Sequence, residues 1–291
     1  MKRIIRIGSR DSKLAVAQSL WVMERIRQAH PEVQLELVTM KTTGDRILDR
    51  SLQAIGGKGL FVKELDRALQ AGEVDYTVHS LKDMPMVQPE GLPILAFSRR
   101  EDPRDAWILP EGASEPDPSL PIGCGSLRRT MQLQALFPHL KIEGIRGNVQ
   151  TRLAKLDSGQ YCATVLACAG IRRLGMEHRI NRIFSTEEMI PAAGQGILAV
   201  QGRAGEDHSI LTCVDDTEGR ACALAERAFV RELDGGCVSP VAAYAQVQEG
   251  KLHLTGLYQS EDGQQRRKGN IEGQPAQAEE LGRTLAQQLR A

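Results

Sequence analysis

Residues 4–40 read IIRIGSRDSKLAVAQSLWVMERIRQAHPEVQLELVTM, and this stretch decides the fold. Ile4–Ile7 is a short apolar run of strand type. Ser12 stands in N-cap position before a helix expected from Lys13 to about Ala29, in which Leu14, Ala17 and Trp21, with Val16, Leu20 and Met23, recur at helical spacing. Val33–Met40 alternates in polarity and reads as a second strand. Outward from this unit, Gly59–Ala71 reads as a helix ended by Gly72, and Val74–Val78 as a further strand. The β-α-β-α-β order predicts a mainly parallel, doubly wound sheet.

The pattern then restarts. Strands are expected at Pro121–Cys124, Lys141–Ile145 and Ala163–Ala167. Helices are expected at Leu127–Phe137 and Val149–Leu156, with another opening at Gly170–Leu174, and Leu109–Pro121 is a Pro- and acid-rich loop. Two α/β lobes of this kind enclose a cleft, with ligands outside the carboxyl ends of the strands. From about Glu218 the style changes. A helix (Glu218–Leu233) meets a Gly-Gly turn, strands follow at Val241–Val247 and Lys251–Tyr258, Ser260-Glu-Asp-Gly makes a turn, and a helix covers roughly Ala276–Leu289. This forms a small C-terminal α+β domain.

The 291 residues suit two or three domains, and 41% hydrophobic with 25% charged content is enough to build a substantial core. Equal numbers of basic and acidic residues, 37 each, remove the overall basic field of a general nucleic-acid or membrane-surface binder. Aromatics at 4% leave little for base stacking. No apolar run is long enough for a signal peptide or a membrane span, so a cytoplasmic chain with reduced cysteines is expected. None of the six cysteines forms a C-x-x-C pair and no H-E-x-x-H occurs, so no metal site is expected. Gly56-Gly-Lys-Gly lacks the spacing of a phosphate loop.

The neutral total hides an asymmetry. Gly123–Ile183 carries ten basic residues against three acidic ones, a net +7. Arg128 and Arg129 fall in the first turn of a helix, where cations oppose the macrodipole at a cost of roughly 0.3–1 kcal/mol each. Arg146 and Arg152 flank the next βα junction and Arg173 the one after, so three junctions present arginine at the ligand-binding edge. The first lobe adds Arg10 and Ser12 at its own first βα turn. A concentrated anion site follows.

Two residues stand out for chemistry. His79-Ser-Leu-Lys-Asp-Met-Pro follows a strand, which places Ser80, Lys82 and Asp83 at its carboxyl end, and Asp83 is a lone carboxylate in a positive cleft. It is suited to stabilising a cation or moving a proton, or else to an Asx-turn. Cys237 follows Gly235-Gly236 in an accessible turn, whereas the other five cysteines lie in apolar or helical contexts. A non-catalytic two-lobed anion-binding protein is the alternative these residues leave open.

The segments IGSRDSKLAVAQ, GGKGLFVKELD, HSLKDMP, GSLRR, RGNVQTRL, AGIRRLG, PAAGQG and DGGCVSP occur in order along the chain. Through them the sequence resembles the porphobilinogen deaminase (hydroxymethylbilane synthase) family from end to end. The resemblance implies two doubly wound lobes like periplasmic-binding-protein domains, residues 1–97 with 192–214 and residues 98–191, and a C-terminal domain over 215–291. It implies a transferase of haem and tetrapyrrole biosynthesis, which joins four porphobilinogens head to tail with release of ammonia to give hydroxymethylbilane. A dipyrromethane cofactor on a Cys237 thioether would prime the chain, with Asp83 beside the pyrrole N–H groups. Ser80, Lys82, Ser126, Arg128, Arg129 and Arg152 would hold the cofactor. Arg10, Ser12, Arg146 and Arg173 would hold substrate, with Lys58 in a loop over the cleft. A monomer is implied, and hand-over of its product to a downstream uroporphyrinogen synthase is left open. Cys124 and Gly125 stand where the family often has hydroxyl residues, which leaves backbone N–H groups to serve there.

Overall fold

The computed structural model describes residues 4–46, 59–234, 240–260 and 265–290. β1 (Ile4–Arg10) leads to α1 (Lys13–Ala29), β2 (Gln34–Met40) and a single helical turn, α2 (Thr43–Arg46). α3 (Lys63–Gln70), β3 (Tyr76–Ser80) and β4 (Ile94–Phe97) complete the first pass. The chain then crosses to a second sheet through β5 (Asp105–Ile108). β6 (Ile122–Gly123), α4 (Leu127–Leu136), β7 (Ile142–Glu143), α5 (Val149–Asp157), β8 (Ala163–Ala167), α6 (Cys168–Arg173) and β9 (Arg182–Ile183) follow. β10 (Leu198–Gly202) returns to the first sheet.

The two sheets have matching strand orders, β2-β1-β3-β10-β4 and β7-β6-β8-β5-β9. In each, the strand that arrives from the other lobe, β10 or β5, is antiparallel to both neighbours. The other four run one way, so the mainly parallel, doubly wound expectation holds. The crossing segments pair where they pass, Ser98 N–H on Leu198 O at 2.9 Å and Glu101 N–H on Gly196 O at 3.2 Å. Gly196 has φ +90, and a Cβ there would run into the Glu101 carbonyl. The lobes therefore meet at a tight double strand that sets the floor of the cleft.

Ser12 caps α1 by accepting from Ala15 N–H at 3.3 Å. The inward face of this helix differs from the expected one. It is Ala15, Gln18, Ser19, Val22, Met23 and Ile26, while Leu20 and Trp21 are about half exposed. Polar Gln18 and Ser19 occupy core-facing positions, so hydrophobic spacing pointed to the wrong stripe. α3 begins at Lys63, not Gly59, because Gly59 takes a left-handed φ of +78 and closes a turn to Val62. β3 runs two residues later than expected and ends at Ser80, which pairs with Leu198. The short strands β4, β5, β9 and β10 went unread.

The C-terminal unit is an antiparallel sheet, β11 (Val241–Gln248), β12 (Lys251–Gln259) and β13 (Arg266–Gly273), in that order, with α7 (Thr217–Glu232) and α8 (Ala278–Arg290) against it. Phe229, Leu252, Leu254 and Leu285 lie in its fully buried core. β13 was missed because its Arg266-Arg267-Lys268 start carries no apolar alternation. Among the described residues, no helix is long and apolar enough to cross a membrane.

Candidate active site

A cavity of about 700 Å³ lies between the lobes, with Met86, Val230 and Val241 on its C-terminal side. Its walls are the carboxyl ends of β1 and β3 on one side and the βα junctions of the second lobe on the other. Arg10, Ser12, Ser80, Lys82, Asp83, Ser126, Arg128, Arg129, Arg146, Arg152 and Arg173 all line it, so the structure brings together every described residue that the sequence marked. Cys237 and Lys58 lie outside the described residues. α7 ends at Glu232 and β11 begins at Val241, and Val230 and Val241 both line the cavity.

Asp83 closes a single 3-10 turn that follows β3 directly, and its side chain is exposed in the cavity. Beside it, Lys82 Nζ approaches Gln195 Oε1 at 3.4 Å. Burial pulls the Lys82 pKa down to about 8; Asp83 and Asp105 oppose the shift, and Arg129 and Arg128 add to it. Ser80 Oγ accepts from Gln18 Nε2 at 2.8 Å, which explains the buried glutamine on α1. His79 is buried against Thr77 Oγ1 at 2.9 Å, and burial lowers its pKa to about 4, so it is neutral at physiological pH.

The arginines divide into two groups. Arg128 and Arg129 are almost wholly buried and share one carboxylate, Asp105. Arg128 Nη1 lies 2.7 Å from Asp105 Oδ2, and Arg129 Nη2 lies 2.7 Å from Oδ1. The pair holds the Asp105 carboxyl well below the usual carboxylate range despite its burial. This answers the macrodipole problem: the two cations at the start of α4 are neutralised in part by a buried anion. Arg10 is likewise paired, with Asp45, and stacks 4.3 Å from the Phe61 ring centroid.

Arg152 and Arg173 form the second group. Arg152 donates through Nε to Gly147 O at 2.9 Å, and Arg173 through Nη2 to Gly196 O at 2.8 Å. Neither has a carboxylate partner among the described residues, and burial lowers both pKa values to about 10. Desolvated cations that meet only backbone carbonyls are under-neutralised, and a ligand carboxylate relieves them. Arg146 lines the same wall, its pKa also lowered by burial.

At Gly125 a Cβ would sit 2.8 Å from the Ile145 carbonyl, so no side chain fits without a backbone shift. Cys124 is buried, with Sγ 3.5 Å from Ser126 O. The sequence reading missed Gln18, Asp105, Gln195 and the buried Arg100–Glu226 pair. Gln195 had a signal, since it lies between two glycines in a marked segment. Asp105 had only the oddity of an acid opening an apolar strand.

Residues 5–211 match the family described as "Porphobilinogen deaminase, dipyromethane cofactor binding domain", and residues 220–291 match "Porphobilinogen deaminase, C-terminal domain". The chain belongs to the porphobilinogen deaminase family. A porphobilinogen deaminase of Ruminiclostridium cellulolyticum is 55% identical over 99% of this chain and 98% of that protein. One from Nostoc sp. is 44% identical over 99% of this chain and 92% of that protein. Among solved structures, the periplasmic aliphatic sulphonate binding protein SsuA from Escherichia coli is 12% identical, with a TM-score of 0.42 over 80% of this chain and 71% of that one. The deaminase family supplies the cofactor, dipyrromethane, and the matched cofactor-binding domain contains the whole arginine-rich wall. That wall fits the group. A dipyrromethane bearing acidic side chains needs several cationic partners, and Arg152 and Arg173 are cations with no ion-paired carboxylate among the described residues.

Proposed function

We propose that this chain is a transferase that condenses four porphobilinogen molecules head to tail, with release of ammonia, to give hydroxymethylbilane on a dipyrromethane primer. We assign the primer's anchor to a Cys237 thioether. We also assign residues 1–97 with 192–214 to one lobe, 98–191 to the arginine-rich lobe and 215–291 to the anchoring domain. The observation that carries the reading is Asp83, an exposed carboxylate in a cavity that Lys82 and six arginines also line.

When bound, the dipyrromethane supplies the free pyrrole α-carbon on which the first addition occurs. The protein's own groups do the rest. Loss of ammonia breaks the aminomethyl C–N bond of porphobilinogen and leaves a cation delocalised over its pyrrole. Asp83 stabilises that charge through the ring N–H, and its position ahead of the cationic wall localises the effect to the reacting ring. A C–C bond replaces the broken C–N bond, and the displaced α-proton is balanced by the released ammonia, which leaves as ammonium. Ser80, Lys82, Ser126, Arg128, Arg129 and Arg152 hold primer carboxylates, and Arg10, Ser12, Arg146, Arg173 and Lys58 hold those of the incoming substrate. Arginine suits this because its fork meets carboxylates bidentately. Each added ring brings two more carboxylates, which one ion pair would not hold.

Asp83→Ala tests the reading. Turnover of porphobilinogen is expected to fall by about 100-fold or more, with the melting temperature unchanged because the side chain is exposed. Activity within about tenfold of wild type would remove Asp83 from the chemistry.

A further inference from the structure

Asp105 opens β5 and is fully buried, so it meets no ligand itself. Its oxygens nevertheless take four side-chain donor groups, from the neighbours Arg128 and Arg129 and from distant Gln195. Oδ2 receives Arg128 Nη1 at 2.7 Å, and Oδ1 receives Arg129 Nε at 3.0 Å, Arg129 Nη2 at 2.7 Å and Gln195 Nε2 at 2.9 Å. Gln195 in turn presents Oε1 to Lys82 Nζ. A carboxylate behind two arginines looks like a competitor for the ligand they face, but the donor count argues otherwise. The two guanidiniums carry ten N–H groups, and the described contacts take five, including those to Ile190 O and Val165 O. One anion against two cations also leaves positive charge over.

We propose that Asp105 is a positioning residue for the reaction: it fixes Arg128, Arg129 and, through Gln195, Lys82 in the geometry that grips the carboxylates of primer and substrate. The inference rests on the reading above that these cations bind carboxylates. Guanidiniums on adjacent residues repel, and backbone carbonyls alone do not offset that. A shared buried carboxylate pins both planes before any ligand arrives, so ordering them costs nothing at binding. Its place on the strand that crosses between the lobes ties the grip to the floor of the cleft.

The test uses the full chain with Asp105→Asn, measuring kcat/KM for porphobilinogen of the loaded enzyme and, by intact mass, the rate at which cofactor-free chain takes up porphobilinogen across pH. The charged groups bearing on Lys82 are Asp83 and Asp105, which hold its proton on, and Arg128 and Arg129, which push it off. Removing the Asp105 charge is therefore expected to lower loading, to cut kcat/KM by ~100-fold and to move the alkaline limb of the loading profile to lower pH. A folded Asp105→Asn protein with kcat/KM within about threefold of wild type, or with a fall but an unmoved limb, overturns the proposal. If Asp105→Asn does not fold, Asp105→Glu is read instead, since it keeps the charge and displaces both guanidiniums. A similar loss of kcat/KM with the limb in place supports positioning, and wild-type kcat/KM overturns it. Arg128→Leu is run alongside. Unimpaired turnover there sinks the reading of the arginines themselves, whereas an impaired Arg128→Leu beside a normal Asp105→Asn sinks only the role of Asp105.

Discussion

Lys82 offers a prediction whose size follows from its surroundings. Its ammonium is buried beside Arg128 and Arg129, and its pKa falls from 10.5 to about 8. A cation that grips a carboxylate works only while protonated. At pH 7 about nine-tenths of Lys82 carries its charge, and at pH 9 about one-tenth does, so capture of the substrate anion is expected to drop about tenfold between them. An unshifted lysine would give no measurable change over that range. The assay is the rate at which cofactor-free chain takes up porphobilinogen, followed by intact mass from pH 6 to 10. Cofactor-free chain is the right species because bound carboxylates would raise the lysine pKa. Lys82→Arg, charged throughout, is expected to lose the limb. A flat wild-type profile to pH 10, or the same limb in Lys82→Arg, would refute the reasoning.

Two further outcomes concern stability. Arg100→Leu strips the fully buried Glu226 of its cationic partner, leaving it the Gly194 and Ala245 N–H groups, and frees the Gln195 carbonyl that Arg100 Nη1 holds at 2.8 Å. A loss on the order of 3–5 kcal/mol in chemical denaturation is expected, and a change below about 1 kcal/mol would contradict it. Asp66 is buried and its pKa is raised from 3.8 to about 6, so its carboxyl binds a proton more tightly folded than unfolded. Stability is then lost as pH rises from 4 to 6 and stays lower above. Asp66→Asn removes that penalty, worth at most about 3 kcal/mol at pH 8, and is expected to raise the melting temperature at pH 8 relative to wild type but not at pH 4. Equal effects at both pH values would show that ionisation is not the cause.

Much of this was legible because βα junctions wall the cavity, and those carry signals of their own. A turn glycine, a capping hydroxyl and an arginine at the same place in successive units mark Ser12, Arg146, Arg152 and Arg173 in the sequence itself, and all four line the cavity. What escaped was set by partners distant in sequence. Asp105 reads as an ordinary surface acid until Arg129, 24 residues on, folds back to it. Gln18 reads as the polar face of α1 until Ser80, 62 residues away, turns it inward. β5 and β10 escaped for the same reason: four and five residues long, they are held as strands by the sheet they cross into. Short elements whose conformation is decided by tertiary pairing carry little local pattern.

The central claim is that a primer grows from Cys237 against the arginine wall, and the intact mass of the purified chain tests it most directly, with a peptide map around Cys237. The account predicts an added mass of two deaminated porphobilinogen units on the peptide containing Cys237, and none in Cys237→Ser. A cofactor-free chain is expected to gain that mass on incubation with porphobilinogen. A Cys237 that stays unmodified after that incubation, or the same added mass in Cys237→Ser, contradicts the account.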